Sequence, residues 1–227
     1  MTSAIIVAAG KGVRMGPQTD KIFLSLAGRP VVAHTWQRFN DAPFIDEIIL
    51  VIRDGMQSAF AELAADFNFK KSFHLVPGGK ERQDSVWNGL AALSPESEIV
   101  AIQDAARPCT SPALIEATIV AAREHGAAVA AQPVTDTIKF SGDGKFIGNH
   151  LDRSRLWAVQ TPQTFQKKII LDALGKVREK GLQVTDDTTA CDLIGQPVKL
   201  VFLPGPNPKI TVPEDAAYVE MLLGGKR

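Results

Sequence analysis

The chain has 227 residues, and its 25 Lys+Arg balance 25 Asp+Glu to a formal net charge of zero. With no basic excess, neither a nucleic-acid face nor an anionic-membrane face is expected, so clustered cations need a local reason. Two cysteines, Cys109 and Cys191, make neither a disulfide framework nor a metal cluster. No apolar run approaches the ~20 residues of a membrane helix, and the apolar start lacks the marks of a secretory signal. A soluble protein of a reducing cytoplasm is expected.

The first element is a predicted strand over 3–9, where Ala4-Ile5-Ile6-Val7-Ala8-Ala9 runs into Gly10-Lys11-Gly12-Val13-Arg14-Met15-Gly16 and, soon after, Lys21. A β-branched run that stops at glycines reads as a buried strand feeding a tight loop. Glycines allow close backbone approach, and Lys11, Arg14 and Lys21 surround the loop with cations, which suits a polyphosphate. Both familiar glycine motifs fail. A dinucleotide fingerprint needs glycine at Met15 and an immediate helix, and the Gly-Lys-Ser/Thr of a Walker loop is absent. A plain glycine turn with solvated charges explains the loop equally well on its own.

Further strands are predicted over 46–52, 72–76, 98–103 and 127–134. Helical spacing links Val31, Val32, Thr35, Trp36 and Phe39; then Phe60, Leu63, Ala64 and Phe67; then Val86, Leu90 and Leu93. Leu114, Ile115, Thr118 and Ile119 repeat it, with Ser111-Pro112 as N-cap and first-turn proline. Alternating β and α segments with near-continuous apolar strands give an α/β fold: a mostly parallel, Rossmann-like sheet covered by helices on both faces. After residue 135 the alternation breaks. Residues 137–140 and 145–148 flank Ser141-Gly142-Asp143-Gly144 as a hairpin. A lone two-stranded ribbon is marginal in water, so it is expected to pack on something, another subunit included. Helices near 167–180 and 186–194, a strand at 198–203 and a last helix from about 213 complete one domain over 1–227, with 136–154 as a projecting arm.

Asp104-Ala105-Ala106-Arg107-Pro108 follows a predicted central strand, where an acid faces the ligand crevice. Asp104 there suits Mg²⁺ held against phosphates; a turn residue paired with Arg107 is the other reading. Gly78-Gly79 opens a helix on which Arg82 and Ser85 share a face, fit for a base or ribose, although an ordinary charged turn accounts for them too. Thr137 and Arg153 bracket the arm, and arginine suits a phosphate monoester. Thr185-Asp186-Asp187 reads as an N-cap with first-turn acids, and Thr211-Val212-Pro213-Glu214 as a capping box. Lys209 is a second phosphate cation. The four histidines are scattered, which disfavours zinc, and Cys109 has no motif that supplies a base.

Taken in order from residue 4 to residue 215, these motifs resemble the 2-C-methyl-D-erythritol 4-phosphate cytidylyltransferase family of non-mevalonate isoprenoid synthesis. The strongest are Asp104–Pro108, Asp136-Thr137-Ile138-Lys139 and Thr161-Pro162-Gln163. The resemblance implies CMP transfer from CTP to 2-C-methyl-D-erythritol 4-phosphate with Mg²⁺ and release of pyrophosphate, and a homodimer with interlocked arms. It implies Arg14, Lys21 and Lys209 as catalytic cations and Asp104 as the metal ligand. Ala8, Ala9, Gly10, Gly12, Gly79 and Ser85 would hold the nucleotide. Arg107, Thr161 and Thr185 would hold the acceptor, with Thr137 and Arg153 reaching it from the partner. Lys80 stands where some members carry an acid, and Asp20 where proline is common. A ribitol-5-phosphate cytidylyltransferase shares nearly all these motifs. A non-catalytic nucleotide-binding regulator would not need Lys21, Lys209 and Asp104 together, and Met15 disfavours a nicotinamide oxidoreductase.

Overall fold

The structure, a computed structural model, describes residues 1–10, 12 and 20–225. The chain opens with β1 (Thr2–Val7), a small hairpin of β2 (Ser25–Leu26) and β3 (Arg29–Pro30), α1 (Val31–Asn40), β4 (Glu47–Ile52) and α2 (Gln57–Asp66). There follow β5 (Phe73–Pro77), α3 (Arg82–Ala91), β6 (Ile99–Asp104), α4 (Pro112–His125) and β7 (Ala127–Pro133). Beyond the arm come β8 (Trp157–Gln166), α5 (Lys167–Glu179), α6 (Asp187–Asp192), β9 (Lys199–Val201) and α7 (Glu214–Gly224).

The main sheet has the order β5-β4-β1-β6-β8-β7-β9. β1 pairs in parallel with β4 on one side and β6 on the other. The strand order therefore reverses at β1, and the crevice at the carboxyl ends of β1 and β6 is where such sheets bind ligands. β1, β4 and β6 are buried almost end to end because helices cover both faces. On one face Trp36 and Phe39 of α1, Phe60 of α2, and Ile115 and Ile119 of α4 form a core. On the other, Val86 and Leu90 of α3 pack with Ile170 and Leu174 of α5. Ser111 caps α4 as expected, accepting the Leu114 N–H at 3.2 Å, with Pro112 in the first turn.

Three local expectations are corrected. β8 was not predicted as a strand, yet it lies inside the sheet, antiparallel to both β6 and β7. Its buried residues include Thr161, Gln163 and Thr164, so it lacks an apolar signature. Pro162, which argues against an interior strand, falls where the β7–β8 register shifts, so no ladder bond is lost there. In the arm, Lys139 bridges His150 rather than a residue of 145–148. The Phe140 N–H donates to the Asn149 carbonyl at 3.1 Å, and the Gly148 N–H to that of Phe140 at 2.8 Å. The chain enters and leaves the arm at one point, closed by the Val134 N–H on the Leu156 carbonyl. Finally, Thr211 does not cap α7: the Asp215 carboxylate accepts the N–H groups of Thr211 and Val212, at 2.7 and 3.0 Å.

Candidate active site

The carboxyl ends of β1 and β6, the turn before α3 and the segment before α7 enclose a cavity of about 480 Å³. Ala8, Ala9, Gly10, Lys21, Gly79, Ser85, Asp104 and Lys209, all singled out by sequence, line it together. The turn before α3 depends on its glycines. A Cβ on Gly78 would sit 2.3 Å from that of Ala9, and one on Gly79 equally close to that of Asp84. Ser85 Oγ accepts the Gly79 N–H at 3.0 Å and donates to the Glu81 carbonyl at 3.2 Å, which fixes the turn against α3. Gly12 has φ +64°, and a Cβ there would meet the Lys21 stem at 3.1 Å. The Lys21 Nζ donates to the Ile210 carbonyl at 3.4 Å, beside Lys209. Lys11 and Arg14 lie outside the described residues.

Asp104 is the centre of charge. Its Oδ2 is 2.7 Å from Lys209 Nζ and 3.6 Å from Arg107 Nε, and its Oδ1 is 3.5 Å from Arg82 Nε. Burial alone would push this carboxyl up, but Lys209, Arg82 and Arg107 hold it well below its ordinary value. Arg82 reaches onward to Asp187, where its Nη1 lies 2.8 Å from Oδ2. Burial would depress the Arg82 guanidinium, yet Asp187 and Asp104 outweigh it and raise it. Asp187 is almost wholly buried, and burial raises its carboxyl despite Arg82.

A second, smaller cavity of about 180 Å³ lies across this cluster, lined by Arg107, Thr161, Gln163, Thr185 and Asp186. Arg82, Asp104 and Lys209 border both cavities and so form the ridge between them. Thr161 Oγ1 accepts the Asp104 N–H at 3.1 Å. Arg107 is buried, and its Nη1 donates to the Asn207 carbonyl at 2.7 Å. The arm residues Thr137 and Arg153 are exposed and border neither cavity; Arg153 Nη1 donates to the Thr135 carbonyl at 2.7 Å.

Sequence reading missed Asp187, Gln163 and Asn207. Asp186, not Thr185, caps α6, accepting the Thr189 N–H at 2.9 Å, which leaves Asp187 to turn inward. Gln163 accepts the Asp187 N–H and donates to Asp186. Asn207 donates to Gln160 Oε1 and the Thr161 carbonyl and accepts from Thr110, all within 3.0 Å. An asparagine between two prolines was the available signal for it. A larger cavity of about 700 Å³ beside Glu98, Arg123 and Lys167 is remote from this cluster. Convergent titratable groups, rather than size, select the crevice.

Among the described residues, no three His, Cys, Asp or Glu side chains come together to hold a metal. Asp104 nevertheless fits Mg²⁺ as a single carboxylate donor. Its hydrogen bond from Arg82 is long, at 3.5 Å, and Arg107 Nε stands beyond hydrogen-bond reach at 3.6 Å, which leaves lone pairs over, and Mg²⁺ takes one or two carboxylates with phosphate oxygens and water.

A Rossmann-like sheet whose crevice sets lysines and a buried aspartate around a glycine-bordered cavity defines a nucleotidyltransferase. The family model described as "2-C-methyl-D-erythritol 4-phosphate cytidylyltransferase" matches residues 2–225, and the chain belongs to that family. The enzyme of that name from Pelotomaculum thermopropionicum is 42% identical over 99% of this chain and 95% of its own length. The one from Alkaliphilus oremlandii is 43% identical over 100% and 96%. Among solved structures, 4-diphosphocytidyl-2C-methyl-D-erythritol synthase from Anaerococcus prevotii superposes with a TM-score of 0.86 at 32% identity, covering 98% of both chains.

Proposed function

We propose that this protein transfers CMP from CTP to 2-C-methyl-D-erythritol 4-phosphate and releases pyrophosphate, a step of isoprenoid precursor synthesis. The observation that carries the reading is the ridge of Arg82, Asp104 and Lys209 shared by a nucleotide-sized cavity and a smaller polar one. Two substrates lodged on either side would meet at that ridge.

The larger cavity takes CTP. Ala8, Ala9 and Gly79 offer backbone groups to the base, and Ser85 holds the turn that carries them. Lys21 and Lys209 face the triphosphate, with Arg14 joining them in this reading. The smaller cavity takes the acceptor, contacted by Arg107, Thr161 and Thr185. An oxygen of its phosphate attacks the α-phosphorus; the new P–O bond forms as the bond to the β-phosphate oxygen breaks, and pyrophosphate carries the electron pair away. The nucleophile is already anionic, so no general base is required. Catalysis is then alignment plus cationic stabilisation of charge on the phosphates. Asp104 would hold Mg²⁺, which when bound neutralises phosphate charge. Lys209 moves from Asp104 to the α-phosphate as the nucleotide enters.

Thr137 and Arg153, on the arm, reach the acceptor site of a second protomer in a homodimer. The unpaired thiols of Cys109 and Cys191 suit a reducing cytoplasm, and no helix among the described residues is long and apolar enough to cross a membrane.

Pyrophosphate release by the purified protein with CTP and Mg²⁺ tests the proposal, supplying the erythritol phosphate or ribitol 5-phosphate in turn. Turnover is expected with the erythritol phosphate, with ribitol 5-phosphate at least about tenfold poorer in kcat/KM, the discrimination that 1.4 kcal/mol provides. Equal turnover on ribitol 5-phosphate would overturn the acceptor, and no release with either would overturn the enzyme.

A further inference from the structure

Arg53, immediately beyond β4, holds two distant points of the chain. Its Nη2 pairs with Asp20 Oδ2, and its Nη1 lies 3.5 Å from the Gly10 carbonyl. Gly10 leaves β1, and Asp20 precedes Lys21, so one guanidinium spans both ends of the segment that separates the strand from its lysine. Gly10 and Lys21 both line the larger cavity. Asp20 is only partly exposed, its Oδ1 is buried without a hydrogen-bond partner among the described residues, and Arg53 is the cation that pairs with it there. A carboxylate next to a triphosphate-binding lysine is a liability: uncompensated, it repels the ligand and competes for the lysine.

We propose that Arg53 is a positioning residue of the triphosphate site, acting by cancelling the Asp20 charge beside Lys21. This rests on the nucleotide reading of the cavity. Arginine suits the task because its planar fork can serve a carboxylate and a carbonyl at once. Both partners are about a quarter exposed, so salt should weaken the effect without abolishing it.

Calorimetric titration of CTP into the protein with Mg²⁺ and no acceptor provides the test. Arg53→Ala should weaken CTP binding about tenfold, because it leaves the Asp20 carboxylate uncompensated next to Lys21, which lines the cavity. Asp20→Asn should bind within about twofold of the parent, and the double variant should recover to within about threefold, since charge and counter-charge then leave together. In about 0.5 M salt, where the Debye length is roughly 4 Å, the Arg53→Ala defect should shrink.

A purely architectural arginine gives a different pattern, in which the double variant binds no better than Arg53→Ala. That result, or an Arg53→Ala protein within twofold of the parent, overturns the proposal. If Arg53→Ala lowers Tm, Arg53→Lys separates the effects, because it keeps the charge and should bind CTP within about threefold of the parent. A parent protein that binds no CTP at all would overturn the nucleotide reading itself, an outcome distinct from the others.

Discussion

At the scale of residues, the site is governed by how Lys209 and Asp104 share charge. Lys209 is a third exposed, whereas the Asp104 it touches at 2.7 Å is buried. A lysine ammonium on a flexible stem can leave a carboxylate for a phosphate, while the arginines beside it are pinned, Arg107 by Asn207 and Arg82 by Asp187. Lys209→Ala should therefore lower kcat by about 10²- to 10³-fold, the usual loss for one preorganised donor to developing charge, with a smaller change in the KM for CTP. Steady-state pyrophosphate release checks this. The same substitution should move Asp104. Its folded-state pKa is depressed below the ordinary 3.8, so Asp104 contributes stability that is present above that pH and lost as pH falls through the folded value. Carboxyl ¹³C NMR should show no Asp104 titration near pH 3.8 in the parent, and an upward shift of its step in Lys209→Ala. An Asp104 that titrates normally in the parent would remove the cluster's electrostatic basis.

At the scale of elements, what places these residues is a handful of close approaches. The turn before α3 lies against the end of β1 so closely that Gly78 leaves no room for a side chain. Gly78→Ala should cost about 1–3 kcal/mol through overpacking and raise the KM for CTP. Adding Ala9→Gly removes the opposing Cβ and should return most of both losses, as read by Tm and by kinetics. Such contacts explain what sequence could convey. The apolar runs of β1, β4 and β6 were legible because a doubly covered parallel strand has nothing polar to hide, and the residues at their carboxyl ends followed from topology. β8 was illegible because its buried positions, Phe165 apart, are Thr, Pro and Gln, with hydrogen bonds such as Thr164 Oγ1 to Thr118 Oγ1 at 2.9 Å keeping the polar ones there. Asp187 was misread for the same reason. The rule that puts acids in a helix's first turn accounts for it as a solvated charge, and only tertiary packing turns it onto Arg82. Patterns of burial travel well from sequence, whereas polar groups buried against distant partners do not.

At the scale of the whole molecule, the arm is the feature that a single chain leaves unresolved. Phe146 is 76% exposed, Ile147 66% and Phe140 54%, a concentration of apolar surface that soluble monomers avoid. Trp157, Val159 and Phe202, on β8 and just beyond β9, add exposed apolar area at the root of the arm. In the proposed two-fold dimer, a self-complementary arm would cover its partner's and would carry Thr137 and Arg153 to the partner's acceptor cavity. The arrangement makes a quantitative forecast. Lys21→Ala disables the nucleotide side of its own protomer, and Arg153→Ala disables the acceptor side of the partner's site. Each variant alone should be nearly inactive. If the two are unfolded, mixed in equal amounts and refolded together, half the dimers are mixed, and each mixed dimer holds one intact site of two. Activity should then return to about a quarter of the parent value, while the separate variants treated identically stay inactive. Sedimentation velocity verifies that every sample is dimeric, and native mass spectrometry counts the mixed species. Mixed dimers without recovery would place Arg153 at its own protomer's site and leave the arm a purely structural clamp.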